Sequence, residues 1–172
     1  MSTEQTFEPG PDTVRTLRDA FGRFATGVTV VTTQTPDGPA GFTANSFTSL
    51  SLDPPLVIWS PAQASSRFAL FAGAAYFAIH VLAEEEAHLC NRFIRGGAGF
   101  EGLAFDHSPE GIPVLAGTLA RFDCACHATH PGGDHLIVVG RVIRARARSG
   151  GPLVFSQGLF GGFTPPDASG TA

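Results

Sequence analysis

Short runs of β-branched and aromatic residues recur along the whole chain, cut apart by turns that carry glycine or proline, and this alternation limits the fold more than any other feature. GVTVVTT at 27–33 is β-branched after its first residue, PDG at 36–38 is a turn signal, and GFTANSFTSLSL at 41–52 alternates small polar with apolar residues, so the stretch reads as two strands joined by a hairpin. Pro54 and Pro55 break the chain before LVIWS at 56–60. YFAIHVL (76–82), LARFDCACHA (119–128), HLIVVGRVIRARA (135–147) and PLVF (152–155) complete the strand candidates. Helical spacing is confined to three places. Val14, Leu17, Phe21 and Phe24 form one apolar stripe facing a core, with Asp12 or Thr13 as N-cap and Gly27 as the stop. SSRFALF at 65–71 suits a short helix with a serine cap, and 84–94 suits another whose first turn carries Glu84, Glu85 and Glu86, where carboxylates favour the positive helix end. Residues 95–117, rich in glycine with two prolines, read as loop. Many strands with few helices predict a mainly β fold, a closed or nearly closed barrel rather than a doubly wound α/β sheet.

A chain of 172 residues has room for one domain with a core, and no repeat or linker divides it. The expected layout is a polar N-terminal tail at 1–11, one domain at 12–163 and a small polar tail at 164–172. Charge narrows the function classes. The 11 basic residues are all arginine and the net charge is −4, so a nucleic-acid coat is not expected and chemistry that needs a lysine is excluded. No apolar stretch approaches the roughly 20 residues of a membrane span, and the acidic start MSTEQTFEPGPD lacks the pattern of a secretory signal. The cysteines Cys90, Cys124 and Cys126 form no C-x-x-C pair, which suggests free thiols in a reducing cytoplasm.

Two segments carry candidate chemistry. Thr43, Asn45, Ser46, Thr48, Ser49 and Ser51 crowd hydroxyl and amide groups into a strand and its exit. Threonine suits a strand, but asparagine and serine do not, so the cluster reads either as donors aimed at a polar ligand or as an ordinary exposed strand face. GGDH at 132–135 reads as a hairpin loop, or as a carboxylate placed beside an imidazole to bind a polar group or tune a proton donor. Six histidines show no metal-ligand spacing; Cys126 and His127 would point to opposite faces of a strand, so no metal is expected. The GGAG at 96–99 matches no nucleotide-binding fingerprint and reads as a loop; Cys90 reads as a small core residue.

Taken in order, FGRFATGVTVVTT, GFTANSFTSLSLDPPLVIWS, ASSRFALF, YFAIHVLAEEEAHLCNRF, GGDHLIVVGRV and PLVFSQGLF resemble the flavin reductase family, from about Leu17 to Phe163. The resemblance implies an FMN-binding split β-barrel with a Greek-key-like chain path, acting as a homodimer with flavin near the subunit interface. It implies FMN as the flavin, with FAD as the alternative, and NADH or NADPH as hydride donor, with reduced flavin passed to a flavin-dependent monooxygenase. Carried over motif by motif, Thr43, Ala44, Asn45 and Ser46 run beside the flavin with Ser49 nearby, and Trp59, Ser60 and Pro61 continue that wall. Ser65, Ser66 and Arg67 fall where the phosphate is expected; Ile79, His80 and Val81 match another cofactor-facing strand, followed by Arg92 and Phe93. In a chain without lysine, Arg67 and Arg92 are the basic candidates for the phosphate. His135 matches the family's GDH histidine, the expected catalytic residue on the nicotinamide side, with Asp134 beside it. His130 and Phe160 stand on that same side where relatives often have tyrosine. Two other readings stay open: a same-fold enzyme that keeps FMN and acts on an organic substrate, and a non-catalytic flavin- or haem-binding protein.

Overall fold

The computed structural model describes residues 4–94 and 99–165. Its centre is a seven-stranded antiparallel sheet in the order β3-β2-β6-β9-β10-β5-β4. The strands are β2 (Thr29–Thr35), β3 (Gly38–Ala44), β4 (Thr48–Leu52), β5 (Pro55–Trp59), β6 (Tyr76–Val81), β9 (Ala120–Gly132) and β10 (His135–Ala147). A second sheet joins β1 (Thr26–Gly27), β11 (Leu153–Ser156) and β12 (Leu159–Gly162), and a third pairs β7 (Phe105–His107) with β8 (Pro113–Leu115). The helices are α1 (Val14–Phe21), α2 (Phe68–Ala72) and α3 (Ala87–Ile94). No helix among the described residues is long and apolar enough to cross a membrane.

Turn chemistry sets the hairpins where glycine and proline stand. Thr35 pairs with Gly38 around Pro36 and Asp37, and the Thr35 hydroxyl donates to the Gly38 carbonyl at 2.8 Å. His135 pairs with Gly132, leaving Gly133 and Asp134 as a two-residue loop whose first residue needs the φ of +68° that glycine tolerates. Between β9 and β10 the register slips twice, once beside Gly140, where an added Cβ would press into the Phe77 ring.

Side chains from both faces of the sheet are buried. On one face Val31, Val57, Trp59, Phe71, Phe77, Ile79 and Val138 form the main core, with Phe42 and Phe71 edge-on to Trp59. On the other, α3 lays Leu89, Cys90 and Phe93 over Val28, Val30 and Leu82. Fully burying one such large side chain contributes about 1.5–3 kcal/mol, so α3 is held by packing. Phe93 rests against Gly41 of β3, where any side chain would collide with its ring.

Several expectations change. GFTANSFTSLSL is two strands, not one, and they form opposite edges of the sheet. Among the described residues no ladder joins β3 to β4, so the barrel does not close by hydrogen bonding; the short β1–β11–β12 sheet is separate from the large one but tied to the end of β6 by the Ala83–Pro152 bridge. The first helix ends at Phe21, well before Gly27, and its apolar stripe faces outward, with Phe21 70% and Phe24 78% exposed. No serine side chain caps α2: it begins at Phe68 behind Arg67, while the Ser65 carbonyl accepts the Phe68 N–H. The 84–94 helix divides into a 3-10 turn at Glu84–Glu86 and α3. The region expected as loop holds β7 and β8, and β12 follows the last expected strand. Residues 1–3 and 166–172 of the two expected tails, and most of the GGAG segment, lie outside the described residues.

Candidate functional site

The polar cluster at 43–51 lies where β3 leaves the sheet. Ala44 is still paired with Thr29, whose hydroxyl donates to the Ala44 carbonyl at 2.7 Å, and the Thr43 hydroxyl donates to the Cys90 carbonyl on α3 at 2.9 Å. Asn45 and Ser46 then leave strand backbone, as residues poor at forming strands do, and the chain resumes pairing at Thr48. Thr43, Ala44 and Asn45 line an open cleft of about 160 Å³ with Ile94 from the end of α3 and Phe155 and Phe160 from the outer hairpin. The Ser46 hydroxyl turns the other way: it accepts the Ser60 N–H at 2.9 Å and donates to the Ser60 carbonyl at 3.2 Å. Ser49 stays exposed on β4.

The GDH turn reaches the same end of the sheet because β10 pairs with β5 and β5 with β4. Past the end of β5, Ala62 bridges to His135, the Leu136 N–H donates to the Pro61 carbonyl at 3.1 Å, and the Gln63 N–H donates to the Asp134 carbonyl at 2.9 Å. His135 Nδ1 lies 2.7 Å from Asp134 Oδ1, and both side chains are solvent-accessible. This contact holds the Asp134 carboxyl below its ordinary pKa. His130, exposed on β9, pairs in register with Ile137 two residues into β10. The two segments singled out in the sequence are thus joined through Ser60–Gln63.

Phe160 lines the Asn45 cleft, and its ring packs on Phe155 at 5.2 Å. Trp59, Ile79 and His80, expected along the cofactor, are fully buried. Trp59 fills the aromatic core, and Ile79 and His80 point to opposite faces of a strand covered on both sides. His80 Nδ1 lies 3.0 Å from the Val30 carbonyl and Nε2 accepts the Leu115 N–H at 3.1 Å, so the ring is neutral with its proton on Nδ1. Burial pushes its pKa down to about 4. It is a structural histidine. Val81 is half-buried at the end of the same strand, and Phe93 is core.

The two arginines also depart from expectation. Arg67 Nη1 donates to the Gly41 carbonyl at 2.8 Å and to that of Phe93, and Nη2 donates to Ile94 at 2.5 Å. A cation at the C-terminal end of α3 suits the helix dipole, and the guanidinium carbon lies 5.1 Å from the centre of the Phe42 ring. Arg92 Nη1 donates to the Gly99 and Glu101 carbonyls at 3.1 and 2.9 Å. Both arginines brace loops and a helix end. Ser66 is exposed, while the Ser65 hydroxyl accepts the Arg67 N–H at 3.3 Å. Of the cysteines, Cys90 and Cys124 are buried and their thiols are pushed up to about 11 and about 12, values that make them poor nucleophiles.

A profile described as flavin reductase like domain matches residues 21–164. The chain belongs to this flavin reductase family. It is 54% identical over 164 residues to the FMN reductase (NADH) SmoA of Agrobacterium fabrum, covering 95% of this chain and 94% of that protein. It is 40% identical to the reductase subunit HsaB of a flavin-dependent monooxygenase from Rhodococcus jostii, covering 88% of this chain and 78% of that one. Among solved structures, the Streptomyces globisporus NADH:FAD oxidoreductase SgcE6, in complex with NAD and FAD fragments, superposes with a TM-score of 0.86 at 35% identity, covering 95% of this chain and all of that one. BorF, the flavin reductase component of a bacterial two-component tryptophan halogenase, does so with a TM-score of 0.79 at 34% identity, covering 88% of this chain and 99% of that one.

Three residues of this flavin reductase were not anticipated from sequence: Gln63, Ile94 and Phe155. Gln63 stands between two alanines with no local pattern, because its partners lie on a distant hairpin. Ile94 and Phe155 fall at the ends of an expected helix and strand, and only the fold turns them toward the cleft.

Proposed function

We propose that this protein is an NADH-dependent FMN reductase that supplies reduced flavin to a separate monooxygenase. One observation carries the reading: the exit of β3 and the GDH turn, far apart in sequence, meet at one end of the sheet and are tied through Ser60–Gln63. The strong likeness to an enzyme named FMN reductase (NADH) supports the choice of flavin and nucleotide.

The cleft suits a flat heteroaromatic ring. Ile94, Phe155 and Phe160 offer apolar faces, while Thr43 and Asn45 offer polar groups at the rim. When bound, the flavin supplies the acceptor for a hydride from the dihydronicotinamide at N5, and solvent supplies the accompanying proton. The chain's own part is alignment and exclusion of water. Phe160 would close one side, and Asn45 would be the residue to hydrogen-bond the ring edge. His135, its Nδ1 taken by Asp134, has Nε2 free and would offer it to the nicotinamide. At about 160 Å³ the cleft is smaller than the roughly 300 Å³ at which ligand pockets begin, and Ile94 and Phe160 are 47% and 45% exposed beside it. A second copy covering these residues would complete the wall, which is the basis for reading the protein as a homodimer.

The test is steady-state oxidation of NADH by the purified protein with free FMN. Turnover that depends on both substrates, from a species of twice the chain mass in light scattering, supports the proposal. No acceleration with NADH or NADPH, with FMN or FAD, defeats it. A preparation that stays yellow through gel filtration and turns over free flavin slowly would instead favour an enzyme that keeps its flavin.

A further inference from the structure

We infer that Gln63 is a positioning residue: it sets the Gly133–His135 turn at a fixed offset from the β3 exit, and so sets how the nicotinamide meets the flavin. The inference rests on the reductase reading above.

Its basis is the number and direction of the bonds that one residue makes. The Gln63 N–H donates to the Asp134 carbonyl at 2.9 Å, and Nε2 donates to the carbonyls of Gly133 at 3.1 Å and His135 at 3.3 Å. Three successive carbonyls of the turn are thus held by a single residue. Both side-chain contacts are to carbonyl oxygens, so only the amide nitrogen can occupy that place and the amide orientation is determined. A two-residue hairpin loop does not need such a brace, since its own strand pairing and a glycine at positive φ are enough to form it. The brace fixes something else, namely where the turn sits relative to the neighbouring segment.

That segment is itself anchored. Ser60, three residues before Gln63, is clasped by its N–H and carbonyl to the Ser46 hydroxyl, one residue past the cleft-lining Asn45. Ser60–Gln63 therefore acts as a splint, with the flavin-side residues at one end and His135 at the other. The Asp134–His135 contact of 2.7 Å orients the imidazole only as well as the turn backbone is oriented, and the turn backbone is what Gln63 holds. Loss of the amide should therefore act on nicotinamide use and spare flavin binding.

Three variants isolate the donor. Gln63→Met keeps length and removes both side-chain bonds, Gln63→Glu points a carboxylate at two carbonyls, and Gln63→Lys restores a donor. Steady-state kinetics with NADH and FMN, FMN binding by fluorescence quenching, thermal melting, and amide hydrogen exchange at 133–136 are compared with the unchanged protein. Q63M is expected to raise KM for NADH by about 3- to 10-fold, with faster exchange in the turn and with FMN affinity and Tm as before. Q63E should be at least as impaired, and Q63K should recover most of the loss. An active parent protein with an unchanged Q63M overturns the inference and leaves the reductase reading standing. So does a Q63M in which KM, FMN affinity and Tm all shift together, because that marks a purely structural brace. A parent protein that does not oxidise NADH with any flavin overturns the reductase reading and this inference with it.

Discussion

The seven-stranded sheet holds polar side chains at its centre and at one end, and uses them in opposite ways. At the centre, His80, Thr32 and Asp123 are completely buried and each has a fixed partner. His80 bridges Val30 and Leu115, the Thr32 hydroxyl donates to the Pro113 carbonyl at 2.6 Å, and Asp123 faces Arg144 at 3.0 Å. At the end, Asn45, Ser46 and Asp134 are exposed and His135 is half-exposed, with Asn45 on the wall of the open cleft. Residue type does not separate the two groups. A buried polar atom must be satisfied by the protein itself, so the central set has no capacity left for a ligand. The rim set is solvated and can exchange water for a ligand at low cost.

The largest effect that could break this contrast is at His80. His80→Leu leaves the Leu115 N–H unpaired in the core and removes the side-chain bond to the Val30 carbonyl, and should cost about 2–3 kcal/mol, a fall in Tm of roughly 5–10 °C. Calorimetry checks it; an unchanged Tm with weakened FMN binding would return His80 to the cofactor wall. The pH dependence should follow the same residue. Its native pKa is held down at about 4, below the unfolded value of 6.5, so between these values the unfolded chain binds more protons. Its contribution is therefore full above about pH 6.5 and is lost as pH falls toward 4, by up to about 3 kcal/mol. Melting curves across that range, with His80→Gln as the comparison, test the sign and the size.

Arg67 sharpens the contrast because sequence and structure give it different work. If its charge serves the Gly41, Phe93 and Ile94 carbonyls, Arg67→Met should lower stability by about 1–3 kcal/mol and weaken FMN and riboflavin binding in equal proportion. Selective loss of FMN over riboflavin in that variant would show a phosphate contact instead. The smallest effect on stability belongs to the rim. His135→Ala should change stability by no more than about 0.5 kcal/mol while raising KM for NADH about tenfold, with flavin affinity kept; an unaltered KM would remove His135 from the site.

Much of this was legible beforehand. The strands at 29–35, 55–59, 76–81 and 135–147 follow β-branched runs bounded by glycine and proline, and the two hairpin turns lie where such residues require them. The Asn45 segment stood out because asparagine and serine are poor strand formers, and the His135 segment because its turn sets a carboxylate beside an imidazole. Other features were not legible. Val14, Phe21 and Phe24 have perfect helical spacing, yet they face outward, since spacing reports that a stripe exists and not what covers it. The burial of Trp59, Ile79 and His80 was not legible either, because a motif match locates a strand but does not say which of its faces is sealed.

The sequence by itself determined the mainly β character, the main hairpin turns, the family and the two segments that carry the candidate chemistry. These are local properties of backbone preference and residue type. Only the tertiary structure decided that β3 and β4 part to opposite edges of the sheet, that Arg67 serves carbonyls, and that Gln63 joins the two halves of the site. Each of those depends on contacts between residues distant in the chain. Such contacts form only once burial of the core has brought the strands together.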